Sequence, residues 1–170
     1  MKNVIEDGLL EGNIVFQSTS YNCGPAALAT VLNLIGICCS EQEIAKIAGT
    51  DETGTTMYGL MHAARKKGIC ANGMRMSISG LGSGDIVFLN LDGKCHYSVI
   101  AKINHHNVVL ADPALGKIEI SKNYFSKVYT GNALIMKKLD NAHKTIKWQK
   151  IASNNSEIIK NRENDNIKRN

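Results

Sequence analysis

With 170 residues and 44% hydrophobic content, the chain is of a size to enclose one core in one globular unit. Its formal charge of +5 is concentrated at the end, because residues 140–170 hold seven Lys or Arg against four Asp or Glu and leave the body nearly neutral. Scattered basic residues and a 5% aromatic share do not make the basic, aromatic-interleaved face of a nucleic-acid binder.

The opening MKNVIEDGLLEGNIVF is broken by acidic residues and Gly, so it fails as a secretory signal, and no stretch approaches membrane-spanning length. The expectation is a cytoplasmic protein whose five cysteines, an odd number, stay as thiols. Leu28, Val31, Leu32 and Ile35 keep the one-face helical spacing, which predicts a helix beginning just after Cys23 and stopping at Gly36. Ser40 and Glu43 form a capping box that opens a short helix with Ile44 and Ile47 inward. Met57, Leu60, Met61 and Ala64 mark a third helix, closed by Arg65, Lys66, Lys67 and Gly68.

From Ile69 onward the pattern changes to strands separated by turns. The predicted strands are 85–91, 95–103, 108–111, 117–120 and 133–137, with turns at Asp92-Gly93, 104–107 and 113–116 and a turn-helix around Tyr124 and Phe125. Helices first and antiparallel strands after make an α+β arrangement. Residues 1–139 are expected to form the domain. Residues 140–170, with seven Asn, are expected to be a polar tail with a short helix at 145–151 carrying Trp148.

A cysteine at a helix start gains from the helix dipole, which favours the thiolate, the form that attacks a carbonyl. Cys23 has that setting. Gly24 would let a substrate approach the backbone, and Pro25 suits a first turn that leaves N–H groups unpaired. Taken alone, a free cysteine is more often a small buried hydrophobe, and Cys38, Cys39 and Cys70 are read that way.

Two further residues turn the balance for Cys23. His96 falls early in a strand and Asp112 closes the next, on neighbouring strands of a hairpin, so the aspartate can fix the ring tautomer that leaves the other nitrogen to take the thiol proton. Asparagine at 112 would be expected still to hold the ring. Gln17, a few residues before the nucleophile, can join the Cys23 N–H in binding a tetrahedral oxyanion. Alone, His96 reads equally as a core or rim histidine, Asp112 as an Asp-Pro turn and Gln17 as a polar loop residue.

His62, His105, His106 and His143 lack such a setting. The spacing of Cys and His offers no zinc site, and the glycine-rich 79–85 lacks the Lys of a phosphate loop. Neither metal nor organic cofactor is expected.

This pattern resembles the bacteriocin-processing cysteine peptidases, cysteine peptidase family 39, whose papain-like domains often form the N-terminal part of peptide-exporting ABC transporters. The resemblance runs from about Ile14 to Met136. Its marks are Gln17 with Cys23 six positions on, Cys-Gly-Pro-Ala-Ala-Leu opening a helix, Gly54-Thr-Thr with Gly59-Leu60, Gly68-Ile-Cys-Ala, Cys95-His-Tyr-Ser-Val-Ile, Val109-Leu-Ala-Asp-Pro with Gly116, and Phe125 before Thr130-Gly131. It implies a papain-like fold, with N-terminal helices packed on a C-terminal antiparallel sheet. It also implies cleavage of an exported peptide's leader after a Gly-Gly pair, with Cys23 as nucleophile, His96 as base, Asp112 as third member and Gln17 as oxyanion donor.

The chain departs from the pattern at Gly-Ser-Gly-Asp-Ile-Val-Phe, residues 82–88, where family members often have a proline. The expected partners are a peptide substrate and, as the resemblance implies, a peptide-exporting ABC transporter. Two rival readings use the same residues: acyl transfer or a cell-wall-directed amidase through the same thioester, and a leader-binding domain that no longer cuts. Residues that bind substrate are not legible.

Overall fold

The computed structural model describes residues 3–136, so the predicted tail helix, His143 and the boundary at 139 lie outside the described residues. Among the described residues no helix is long and apolar enough to cross a membrane. A first helix, α1 (Val4–Leu10), has no counterpart in the sequence reading. It is short, and its start is marked only by Asn3, whose side chain accepts from the Glu6 N–H.

Helix α2 (Cys23–Leu34) is buried from Cys23 through Leu32, on every side, as a core helix is. It stops where the sequence predicts: Gly36 adopts φ +82°, the Gly36 N–H bonds to the Asn33 carbonyl and the Ile37 N–H reaches back to Leu32. Ile35 is thus the cap rather than part of the helix. Helix α3 (Glu41–Ala48) opens with the Ser40 hydroxyl accepting from the Glu43 N–H at 3.1 Å; Ile44 is buried, while Ile47 is only half-buried. Helix α4 (Met57–Lys66) closes through Gly68 in the same way as α2.

Six strands form one antiparallel sheet: β1 (Ala71–Arg75), β2 (Ile86–Leu91), β3 (Lys94–Ile103), β4 (Asn107–Asp112), β5 (Gly116–Ser121) and β6 (Tyr129–Met136), in the order β1-β6-β2-β3-β4-β5. Helix α5 (Lys122–Val128) separates β5 from β6. The β2–β3 turn is Asp92-Gly93, both at positive φ (52° and 85°), the two-residue geometry whose twist matches the flanking strands. On one face, Val87, Leu89, Ile100, Val108, Leu110 and Ala133 pack with Phe125 and Val128 of α5. Tyr97 of β3 lies against α2, where a Cβ on Gly24 would come within 3.1 Å of the Tyr97 ring. Sheet and helices therefore meet at the start of α2 and the start of β3.

Candidate active site

Cys23 is the first residue of α2 and is 8% exposed. Burial by itself would push its thiol up. The hydrogen bond with His96, the Tyr97 main-chain N–H and the charge of His96 outweigh that, and the thiol titrates below its ordinary value. Gly24, expected to leave room for substrate, instead leaves room for Tyr97 and Leu60, so its missing side chain sets how closely α2 approaches the sheet.

His96 and Asp112 stand on adjacent strands, and the pairing of Val99 with Ala111 places them at the same end of the sheet. His96 Nε2 and Asp112 Oδ2 are 2.8 Å apart. That bond leaves Nδ1 as the ring nitrogen for the thiol. Burial would lower the imidazolium's pKa, but the hydrogen bonds with Asp112 and Cys23 and their charges raise it to about 9. The Asp112 carboxyl, which burial alone would raise, is held below its ordinary value chiefly by His96. The lowered thiol and the raised imidazole each favour the charged form of the other, a thiolate–imidazolium pair beside the Asp112 carboxylate.

Asp112 bonds the imidazole and the following turn at once. Oδ2 takes the imidazole, while Oδ1 accepts from the main-chain N–H groups of Ala114 (2.9 Å) and Leu115 (3.1 Å) and so builds the turn after β4.

Gln17 is tied to this turn as well, because its main-chain N–H donates to the Pro113 carbonyl at 2.9 Å. Its Nε2 donates to the Thr19 carbonyl at 2.8 Å, and its Oε1 is buried without a partner. One amide hydrogen is thus engaged within its own loop and the second is unclaimed.

The sequence reading missed Tyr97, next to His96, whose hydroxyl donates to the Thr55 carbonyl at 2.9 Å and pins the loop before α4. It entered the sequence reading only within the Cys95-His-Tyr-Ser-Val-Ile mark, with no role assigned. His62, His105 and His106 are exposed, as expected. Cys38 and Cys39 lie in the loop before α3, Cys70 precedes β1, and Cys95 is exposed on β3, all as free thiols. Among the described residues no three or more His, Cys, Asp or Glu gather as a metal site would need.

The family model described as "Peptidase C39 family" matches residues 11–141. An uncharacterized protein of Methanothermobacter thermautotrophicus is 50% identical over 135 residues, which cover 79% of this chain and 95% of the relative. Among solved structures, the peptidase domain of Streptococcus ComA, a bi-functional ABC transporter involved in a quorum-sensing pathway, superposes with a TM-score of 0.67 at 26% identity, covering 73% of this chain and 96% of that domain. A double-glycine-motif protease from an AMS/PCAT transporter, in complex with its leader peptide, gives 0.66 at 25% identity, covering 72% of this chain and 88% of that one. A papain-like α+β fold, a matching model over most of the chain and a half-identical relative agree: the chain belongs to the peptidase C39 family and is a cysteine peptidase.

Proposed function

We propose that this peptidase removes the leader of an exported peptide by cutting after a Gly-Gly pair, with Cys23 as nucleophile, His96 as proton carrier, Asp112 as orienting group and Gln17 as oxyanion donor. The observation that carries this reading is the continuous hydrogen-bonded run Cys23–His96–Asp112 at the start of α2, in which the thiol is depressed and the imidazole raised. The thiolate attacks the carbonyl carbon of the second glycine. Charge then gathers on the carbonyl oxygen, where the Cys23 N–H and the free hydrogen of the Gln17 amide can bind it. The His96 imidazolium gives its proton to the leaving amine, the C–N bond breaks, and a thioester remains. Water, deprotonated by the now neutral His96, attacks the thioester and restores the thiolate.

Leader peptide and transporter are features of the solved relatives, and they support an exporter as partner; the cytoplasm as the place of cutting is part of the proposal. The test is a synthetic peptide library varied at the two positions before the cut, with products read by mass spectrometry and Cys23→Ala as blank. Gly-Gly or Gly-Ala should dominate. Preference for a bulky residue there, or transfer of the acyl group to an added amine instead of water, would sink the leader-processing reading.

A further inference from the structure

Glu41 is a carboxylate with no part in the chemistry above, yet it is only 4% exposed. Among the described residues no Lys, Arg or His pairs with it. Its Oε1 accepts from the main-chain N–H of Ser18 at 2.8 Å, across 23 positions of chain, and its Oε2 from Gln42 Nε2 at 3.4 Å. A place in the first turn of α3, directly after the Ser40 cap, lends it the helix dipole. That is modest help against the cost of burying a carboxyl group away from any cation, a cost that an apolar residue of its size would avoid.

The bond it makes has one conspicuous address. Ser18 follows Gln17, and the Gln17 N–H is itself held by the Pro113 carbonyl at 2.9 Å. The peptide planes on either side of the Gln17 Cα are therefore anchored to two separate bodies: the turn built by Asp112 and the start of α3. With both planes held, the direction in which the Gln17 side chain leaves the backbone is set.

We infer that Glu41 is a positioning residue for the oxyanion donor, holding the Ser18 N–H so that Gln17 presents its amide at the reacting carbonyl. The inference rests on the reading of Gln17 as that donor. Glu41 does not touch substrate. It acts through the loop.

The test uses the full chain and two small probes that share the Cys23 thiolate and differ in the oxyanion. With p-nitrophenyl acetate the thiolate adds to the carbonyl carbon, an oxyanion forms, the ester C–O bond breaks and p-nitrophenolate leaves. With iodoacetamide the thiolate displaces iodide and no oxyanion forms. Cys23 modification is followed by peptide mass spectrometry. Glu41→Leu, which keeps the buried volume, should slow acylation about 10- to 100-fold, the cost of misplacing one such group, and should leave alkylation within about twofold. Glu41→Gln retains an oxygen acceptor and should restore most of the acylation rate.

In a Gln17→Ala background, Glu41→Leu should add little further loss. Equal slowing of both reactions, additive losses in the double variant, or unchanged acylation in Glu41→Leu would each overturn the inference. Unchanged acylation in Gln17→Ala would overturn the oxyanion reading and this inference together. Loss in Gln17→Ala with none in Glu41→Leu would sink this one alone. Neither probe contains Gly-Gly, so the outcome is independent of the leader.

Discussion

Five free thiols in one chain set exposure against ionisation. Cys38, Cys70 and Cys95 are exposed, whereas Cys23 is 8% exposed. At alkaline pH, where every thiol ionises, access should decide and the exposed cysteines should react with iodoacetamide as fast as Cys23 or faster. Near pH 6 ordinary thiols are almost wholly protonated, while Cys23, lowered by His96 and the Tyr97 N–H, should keep the larger thiolate fraction. Labelling at pH 6 should therefore fall on Cys23, read site by site by mass spectrometry, and even labelling of all five at that pH would contradict the ion pair.

The same pair predicts the pH profile of peptide cleavage. Activity should rise through the depressed Cys23 value and fall as pH passes about 9, where His96 loses its proton. His96→Ala should cost ~10²–10⁴-fold in turnover. Asp112→Asn, which from sequence alone would still hold the ring, is expected to be costly too. One carboxylate oxygen serves the ring and the other serves two main-chain N–H groups, and an amide has a single acceptor for both. If the amide nitrogen faces the ring, the wrong tautomer is favoured, so a loss of ~10³-fold is expected, with the alkaline limb moving well below about 9. An Asn variant with near-full turnover and an unmoved limb would return Asp112 to a turn residue.

At the scale of elements, the glycines named by the family resemblance acquire reasons. A Cβ on Gly59 would sit 2.2 Å from the Ala48 carbonyl oxygen, a backbone atom at the end of α3 that cannot swing aside. Gly59→Ala should therefore cost about 3 kcal/mol despite alanine's better helix propensity, measured by denaturant unfolding, and a neutral result would mean the α3–α4 contact is looser than described. Elements with a repeating pattern were legible in the sequence: α2 by its apolar spacing and Gly36, α3 by its capping box, β2 to β5 by their turns. Helix α1 was not, having seven residues and no pattern longer than two turns. Strand β1 was not among the predicted strands, because its pattern of mostly exposed residues lacks apolar alternation. Strand β6 begins at Tyr129, four residues before the predicted start, since half-buried polar residues at Thr130 and Asn132 hide its alternation. Cys23, His96 and Asp112 stood out as candidates because the proposed chemistry demands particular residue types in order. Glu41 was not, because a carboxylate reaching 23 positions back leaves no local signature.

At the scale of the whole molecule, the question is where the working domain ends, and the proposed boundary is residue 139. The described sheet is complete by Met136, with β6 lying between β1 and β2 in the middle of the order rather than at an edge. Its last N–H, that of Met136, is taken by the buried carboxylate of Asp85 at 3.1 Å, and the other oxygen of that carboxylate holds the Gly82 N–H at 2.8 Å. Strand β6 is thus secured to the loop before β2 by the Asp85 side chain. Leu134 and Met136 are buried. Cys23, His96, Asp112, Gln17 and Glu41 all precede that point. A chain ended after residue 139 should therefore fold, label selectively at Cys23 near pH 6 and react with p-nitrophenyl acetate within about twofold of the full chain. If it folds and passes both probes but cleaves a leader peptide much more slowly, residues 140–170 belong to substrate recognition. If it fails to fold, the domain extends beyond 139 and the proposed boundary is wrong.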